Sequence, residues 1–126
     1  QELFKRVSTW LKPTGKLFVH IFTHKTCPYH FDEGWMAKTF FTGGTMPSDD
    51  LFSYFQDHLK IEERWTVNGQ HYQKTSEGWL ANLDKNKDKA MPILKATYGE
   101  GNETKWLVNW RLFFMACAEL WGFNKG

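Results

Sequence analysis

Leu3, Phe4, Val7, Trp10 and Leu11 fall on one face of a helix, and Lys12-Pro13-Thr14-Gly15 stops it. The segment KLFVHIF that follows, Lys16 to Phe22, is short, mostly apolar and flanked by a turn signal. It reads as a buried strand in which His20 is the one polar interruption. A helix, a tight glycine turn and a buried strand make half of an α/β repeat. The repeat has no strand before its helix, so the chain is expected to begin inside a fold.

From Thr23 to Pro47 the pattern is irregular and predicts loop and short helix, an excursion of the length that lids and binding loops have. Ser48 stands as an N-cap with Asp49 and Asp50 in the first turn, and Leu51, Phe52 and Phe55 form the stripe of a short helix. Leu59, Ile61, Glu63, Trp65 and Val67 alternate with polar neighbours, the period of a strand with one buried face. Asn68-Gly69 closes it. Tyr72, Thr75, Trp79, Leu80 and Leu83 mark a helix to about Asn86, and a weaker one covers Ala90 to Tyr98 with Pro92 near its start. Past Gly99-Glu100-Gly101, with Asn102 as cap, Trp106, Trp110, Phe113, Phe114, Cys117 and Leu120 share the broad apolar face of a last helix.

Composition narrows the partners. Aromatic residues make up 17% of 126 positions, with seven Trp and eleven Phe, more ring surface than a core of this size requires. Pocket lining and an aromatic core or docking face account for it equally well. Sixteen basic and fourteen acidic residues are scattered, so no basic stripe exists to hold a phosphate backbone, which argues against nucleic acid as partner. No apolar run approaches the roughly 20 residues that span a bilayer. Cys27 and Cys117 lack any framework spacing and fit free thiols, hence a cytoplasmic location.

The candidate chemistry is sparse. His24-x2-Cys27-x2-His30 offers metal-ligand atoms in one loop, but no second pair follows, and no metal site is assigned. Glu62 and Glu63 are neighbours in a predicted strand and point to opposite faces, which excludes a shared carboxylate dyad. No G-x-S-x-G elbow is present, and Gly43-Gly44 alone is no phosphate cradle. His20 must find a hydrogen-bond partner or face a polar cavity if its strand is buried. Trp79, Trp110 and Phe113 could be the core of two packed helices or the wall of a pocket.

Three stretches carry a resemblance: FVHIFTHKTCPYHF, FFTGGTMPSDDLFSYFQDHLKIEERWTVNGQHYQKTSEGWL and KWLVNWRLFFMACAELWGFNKG. Together they are similar to the C-terminal part of the coclaurine N-methyltransferase group of plant alkaloid enzymes, within the wider group of cyclopropane fatty-acid synthases and mycolic-acid methyltransferases. The resemblance implies an α/β fold, the C-terminal portion of a Rossmann-like S-adenosylmethionine-dependent methyltransferase with a mostly helical substrate cap. On that plan residues 1–23 are core helix and strand, 24–58 a cap or lid region, 59–69 a strand, 70–98 cap helices and 102–123 a substrate-facing core helix. The implied activity is methyl transfer from S-adenosyl-L-methionine to the amine nitrogen of a benzylisoquinoline-like alkaloid. Trp110 and Phe113 match the group's substrate-contacting positions, Trp79 is added as a third ring, and His20 matches a strand histidine that helps hold bicarbonate in the cyclopropane synthases. Residues that bind the methyl donor, and the acidic and histidine residues that serve the amine, are expected upstream of this chain. The alternatives are a lipid-modifying relative and a non-catalytic binding module. The expected partners are a small-molecule amine and the missing N-terminal part of the same protein, with a homodimer left open.

Overall fold

The computed structural model describes all of residues 1–126. The chain divides into two compact units, Gln1–Arg64 and Trp65–Gly126.

The first unit holds α1 (Glu2–Ser8), β1 (Tyr29–His30), α2 (Trp35–Phe40), β2 (Thr45–Met46) and a single 3-10 turn over Leu51–Tyr54. The two strands form a small antiparallel ladder pairing Tyr29 with Met46 and His30 with Thr45. The ladder is extended by Phe31 N–H donating to Gly44 O, and a parallel bridge joins His24 to Ser48. Gly44 has to be glycine here, because a Cβ would lie 2.4 Å from the Phe31 ring. His24 organises the loop before β1: its Nδ1 accepts the backbone N–H of Cys27 at 2.9 Å and that of Thr26 at 3.3 Å. Asp49, in the segment after β2, accepts a hydrogen bond from Thr23 Oγ1 and an ion-pair contact from Arg64, tying the residue before the loop and the end of the unit to that segment.

Both predicted long strands are absent. Residues 16–22 and 59–67 make no ladder, and Leu17, Phe18, Val19, Ile21, Ile61, Trp65 and Val67 are all exposed. Within the first unit the two stretches are linked by an exposed ion pair, Lys16 Nζ to Glu62 Oε2 at 2.5 Å. Period and β-branched composition say which segments suit a sheet, but a strand exists only where another backbone supplies its ladder. These stretches find no such backbone within the chain. The expected α/β character is therefore corrected for these 126 residues: they are mostly helical with one two-stranded sheet. The helix expected after Ser48 shrinks to the 3-10 turn, whose first bond runs from Leu51 N–H to Ser48 O.

The second unit is a helical bundle of α3 (Gln70–Lys85), α4 (Lys87–Tyr98) and α5 (Glu103–Gly122), followed by a 3-10 turn over Phe123–Lys125. Helices α3 and α5 lie antiparallel along their length. Tyr72 meets Trp121 near one end, Trp79 meets Phe114 at the middle, and Asp84 meets Arg111 at the other end. Leu94, Leu107, Phe113 and Cys117 form the buried core, with Ser76 fully enclosed beside them. Only one residue separates α3 from α4. Asn86 breaks the helical path at φ −108°, ψ 24°, its N–H and Nδ2 donate to Asn82 O, and its own carbonyl receives Lys89 and Ala90 N–H. Helix α4 therefore begins earlier than the sequence suggested. Pro92 stands inside it rather than in its first turn, at the cost of one interior backbone hydrogen bond. Asn102 precedes α5, but its side chain reaches back, donating from Nδ2 to Tyr98 O at 3.2 Å, so it caps the end of α4.

Candidate functional site: an aromatic cluster and groove on the helical unit

Three of the four sequence-predicted site residues belong to one connected cluster. Trp110 and Phe113 sit one turn apart on α5 with ring centroids 5.7 Å apart, nearly perpendicular. Phe114 joins both, at 5.8 Å from each, and reaches across to Trp79 of α3 at 5.8 Å. Trp79 in turn meets Tyr72 edge to face, and Tyr72 meets Trp121 in the same way. Helical spacing produces this arrangement: positions 110, 113 and 114 share a face of α5, and 72 and 79 are two turns apart on α3. Such pairs contribute about 0.5–1.5 kcal/mol each beyond simple burial, so the cluster also stiffens the bundle.

The three rings differ in access. Phe113 is buried and belongs to the core. Trp110 is half-buried, with its Nε1–H donating to Tyr98 OH at 3.3 Å. Trp79 is 46% exposed and forms one wall of an open groove of about 570 Å³. Phe114 forms another wall, and Leu83, Ala90 and Ile93 complete the apolar part. Asn82, Asn86 and Lys89 supply its polar edge. An apolar, aromatic recess with a few placed polar groups has the chemistry of a small-molecule site. Phe114 and the α4 residues were not singled out from sequence. The spacing of Phe114, four residues after Trp110, was visible, whereas the contribution of α4 depends on the one-residue break at Asn86.

His20 belongs to the first unit. It is exposed within the extended stretch 16–22, its ring 6.4 Å from that of Phe18. The premise that it lies in a buried strand does not hold for this chain.

Titratable groups near the cluster are few. Burial pushes the Tyr72 phenol up, with nearby Cys117 adding to the shift, and burial likewise pushes up the Cys117 thiol. Both stay protonated at neutral pH, so neither is a nucleophile here. Asp84 is held below its ordinary value by hydrogen bonds from Arg111, whose Nε and Nη2 donate to its two carboxylate oxygens at 2.7 and 3.1 Å. That fork is an exposed strut between α3 and α5. In the first unit, Nδ1 of His24 is already occupied by backbone donors, and His30 Nδ1 lies 3.0 Å from Thr45 Oγ1, so the His24-Cys27-His30 spacing serves loop structure. No group of three or more His, Cys, Asp or Glu side chains converges on a metal-sized point. Nor does any strand, glycine-rich loop and helix succession cradle a nucleotide: Gly99 and Gly101, both at positive φ, link two helices.

The loop-rich first unit and the helical second unit each fall within a region shared with known proteins. Residues 1–125 match the family model described as mycolic acid cyclopropane synthetase, and the chain belongs to that family. Within it the similarity runs to the amine methylators. The chain is 38% identical to (S)-coclaurine N-methyltransferase of Papaver somniferum and 35% identical to that of Thalictrum flavum subsp. glaucum, covering 100% and 98% of this chain. Pavine N-methyltransferase of the latter plant is 33% identical over 99% of it. Among solved structures, coclaurine N-methyltransferase bound to N-methylheliamine and SAH superposes with a TM-score of 0.83 at 32% identity, over 99% of this chain and 39% of that one. The chain is thus coclaurine N-methyltransferase-like and has the fold of the matching part of a methyltransferase. It spans 37–38% of the length of these curated relatives.

Proposed function

We propose that this chain forms the acceptor side of an S-adenosylmethionine-dependent N-methyltransferase that methylates the amine nitrogen of a benzylisoquinoline-like alkaloid. Trp110 and Trp79 contribute the aromatic wall, the buried Phe113 backs it, and His20 serves the acceptor as a polar group. The observation that carries this reading is the continuous ring cluster from Phe113 through Trp110 and Phe114 to the half-exposed Trp79, in a chain whose relatives are N-methyltransferases. The methyl donor brings an electrophilic carbon on a sulfonium, and its binding residues are proposed to lie outside these 126 positions, which contain no nucleotide cradle.

The chemistry asks little of the chain beyond positioning and desolvation. Direct displacement needs the amine lone pair aligned with the methyl group in a site that excludes water. Positive charge then builds on nitrogen, and the face of a Trp or Phe ring stabilises it by about 0.5–2 kcal/mol. Trp110 suits this role because its one polar donor is already engaged, leaving the ring to act as an apolar, electron-rich surface.

Transfer of labelled methyl from S-adenosylmethionine to a tetrahydroisoquinoline amine tests the proposal in the intact protein, with an unsaturated phospholipid as the competing acceptor. Label on the amine is expected. Label on the lipid alone, as in a lipid-modifying relative, refutes it. Trp110→Ala should lower kcat/KM for the amine by about tenfold or more. A variant that melts several degrees lower while its folded fraction keeps full activity would make Trp110 a core residue only.

A further inference from the structure

Tyr98 is the last residue of α4, and it touches α5 at two positions one turn apart. Its ring lies flat on Trp106, centroids 3.7 Å apart and planes within 10°. Its hydroxyl oxygen accepts the indole N–H of Trp110 at 3.3 Å. The backbone at Tyr98 is fixed as well, since its carbonyl accepts Asn102 Nδ2 and the chain turns away at Gly99 with φ +92°. Tyr98 is thus a rigid arm, anchored at its backbone and along its ring face, whose free end meets Trp110.

An indole carries a single polar donor, so one acceptor selects among its ring orientations. A ring flipped about the Cβ–Cγ bond would carry the N–H away from the Tyr98 oxygen and leave a half-buried donor without this acceptor. The selected orientation sets which edge of the indole Trp110 turns toward Phe113 and Phe114, whose ring centroids lie 5.7 and 5.8 Å away. Phe114 in turn lines the groove. We infer that Tyr98 is a positioning residue for the acceptor amine: its hydroxyl fixes the orientation of the Trp110 indole, and with it the aromatic wall, without itself touching substrate. This rests on the reading of Trp110 as an acceptor-facing ring.

The test is a cycle of Tyr98→Phe, Trp110→Phe and the double variant in the intact protein, read in two ways. Tyr98→Phe keeps the stack on Trp106 and removes only the acceptor oxygen. The first readout is hydrogen exchange at the Trp110 indole N–H, assigned by its loss in Trp110→Phe; exchange should quicken about tenfold in Tyr98→Phe. The second is kcat/KM for the amine, which should fall about three- to tenfold in Tyr98→Phe and show no further fall when added to Trp110→Phe. Unchanged indole exchange overturns the positioning contact itself. A Tyr98→Phe loss that persists in full in the Trp110→Phe background overturns action through Trp110. Quickened exchange with Trp110→Phe at full activity removes the acceptor role of Trp110, and the inference falls with that reading while the contact stands.

Discussion

Three glycines of the helical unit form a matched series whose responses to alanine should differ in sign. Gly78 lies mid-α3, and a Cβ built there meets nothing within 4 Å. Gly78→Ala therefore gains helix propensity alone, about 0.5–1 kcal/mol. Gly122 ends α5, where a Cβ would come within 2.4 Å of Gln73 Oε1. Gln73 is a flexible side chain whose amide donates to Glu77 Oε1, so it can swing aside for the loss of one weak surface bond. That loss roughly offsets the propensity gain, and Gly122→Ala should stay within about 0.5 kcal/mol of the parent. Gly69 is different in kind. Its Cβ would lie 2.4 Å from the backbone oxygen of Trp121, and backbone cannot rotate out of the way. Ordinary contact needs the start of α3 and the end of α5 to part by about an ångström, straining the Asn68 Nδ2 to Lys125 O bond of 3.0 Å. Overpacking of this sort costs about 1–3 kcal/mol and outweighs the propensity term. For a unit of about sixty residues each kcal/mol moves Tm by about 4–8 °C. Thermal unfolding followed by circular dichroism should rank Gly78→Ala above the parent by about 2–8 °C, Gly122→Ala level with it, and Gly69→Ala roughly 4–24 °C below. If Gly69→Ala melts with or above Gly78→Ala, the close approach of the two helix ends is wrong.

The other predictions concern function and pH. His20→Phe should leave the melting curve of the chain within about 0.5 kcal/mol of the parent because the side chain is exposed, yet impair methyl transfer in the intact protein; full activity across pH would leave His20 without a role at the acceptor. Residues 1–126 alone should show no heat of binding with S-adenosylmethionine in calorimetry, and micromolar binding would refute the placement of the donor site elsewhere. Arg111 depresses the Asp84 carboxyl, so their fork stabilises the fold at pH above the ordinary carboxylate range and is lost as pH falls from about 4 through the lowered Asp84 value. The stability gap between the parent and Arg111→Gln should accordingly be constant at neutral pH and close in acid; a gap that widens in acid would contradict this sign.

Residue spacing alone carried the helical unit. Leu80, Leu83, Trp110, Phe113 and Cys117 recur at helical intervals, and a helix makes its own backbone hydrogen bonds, so its existence can be read from one stretch of chain. The helical placement of Trp79, Trp110 and Phe113 followed from the same spacing, whereas their reading as acceptor-contacting rings came from the family resemblance. Their separation into a buried Phe113, a tethered Trp110 and a half-exposed Trp79 was not legible, because it depends on how α3, α4 and α5 pack. The role of Tyr98 was equally hidden: nothing local says that the end of α4 meets Trp106 and Trp110. Strands failed where helices succeeded. KLFVHIF and the alternation from Leu59 to Val67 record what those segments suit, but a strand takes its hydrogen bonds from another backbone, and only the tertiary structure decides whether one is there. His20 inherited that uncertainty, since its predicted burial was a property of the sheet and not of the residue.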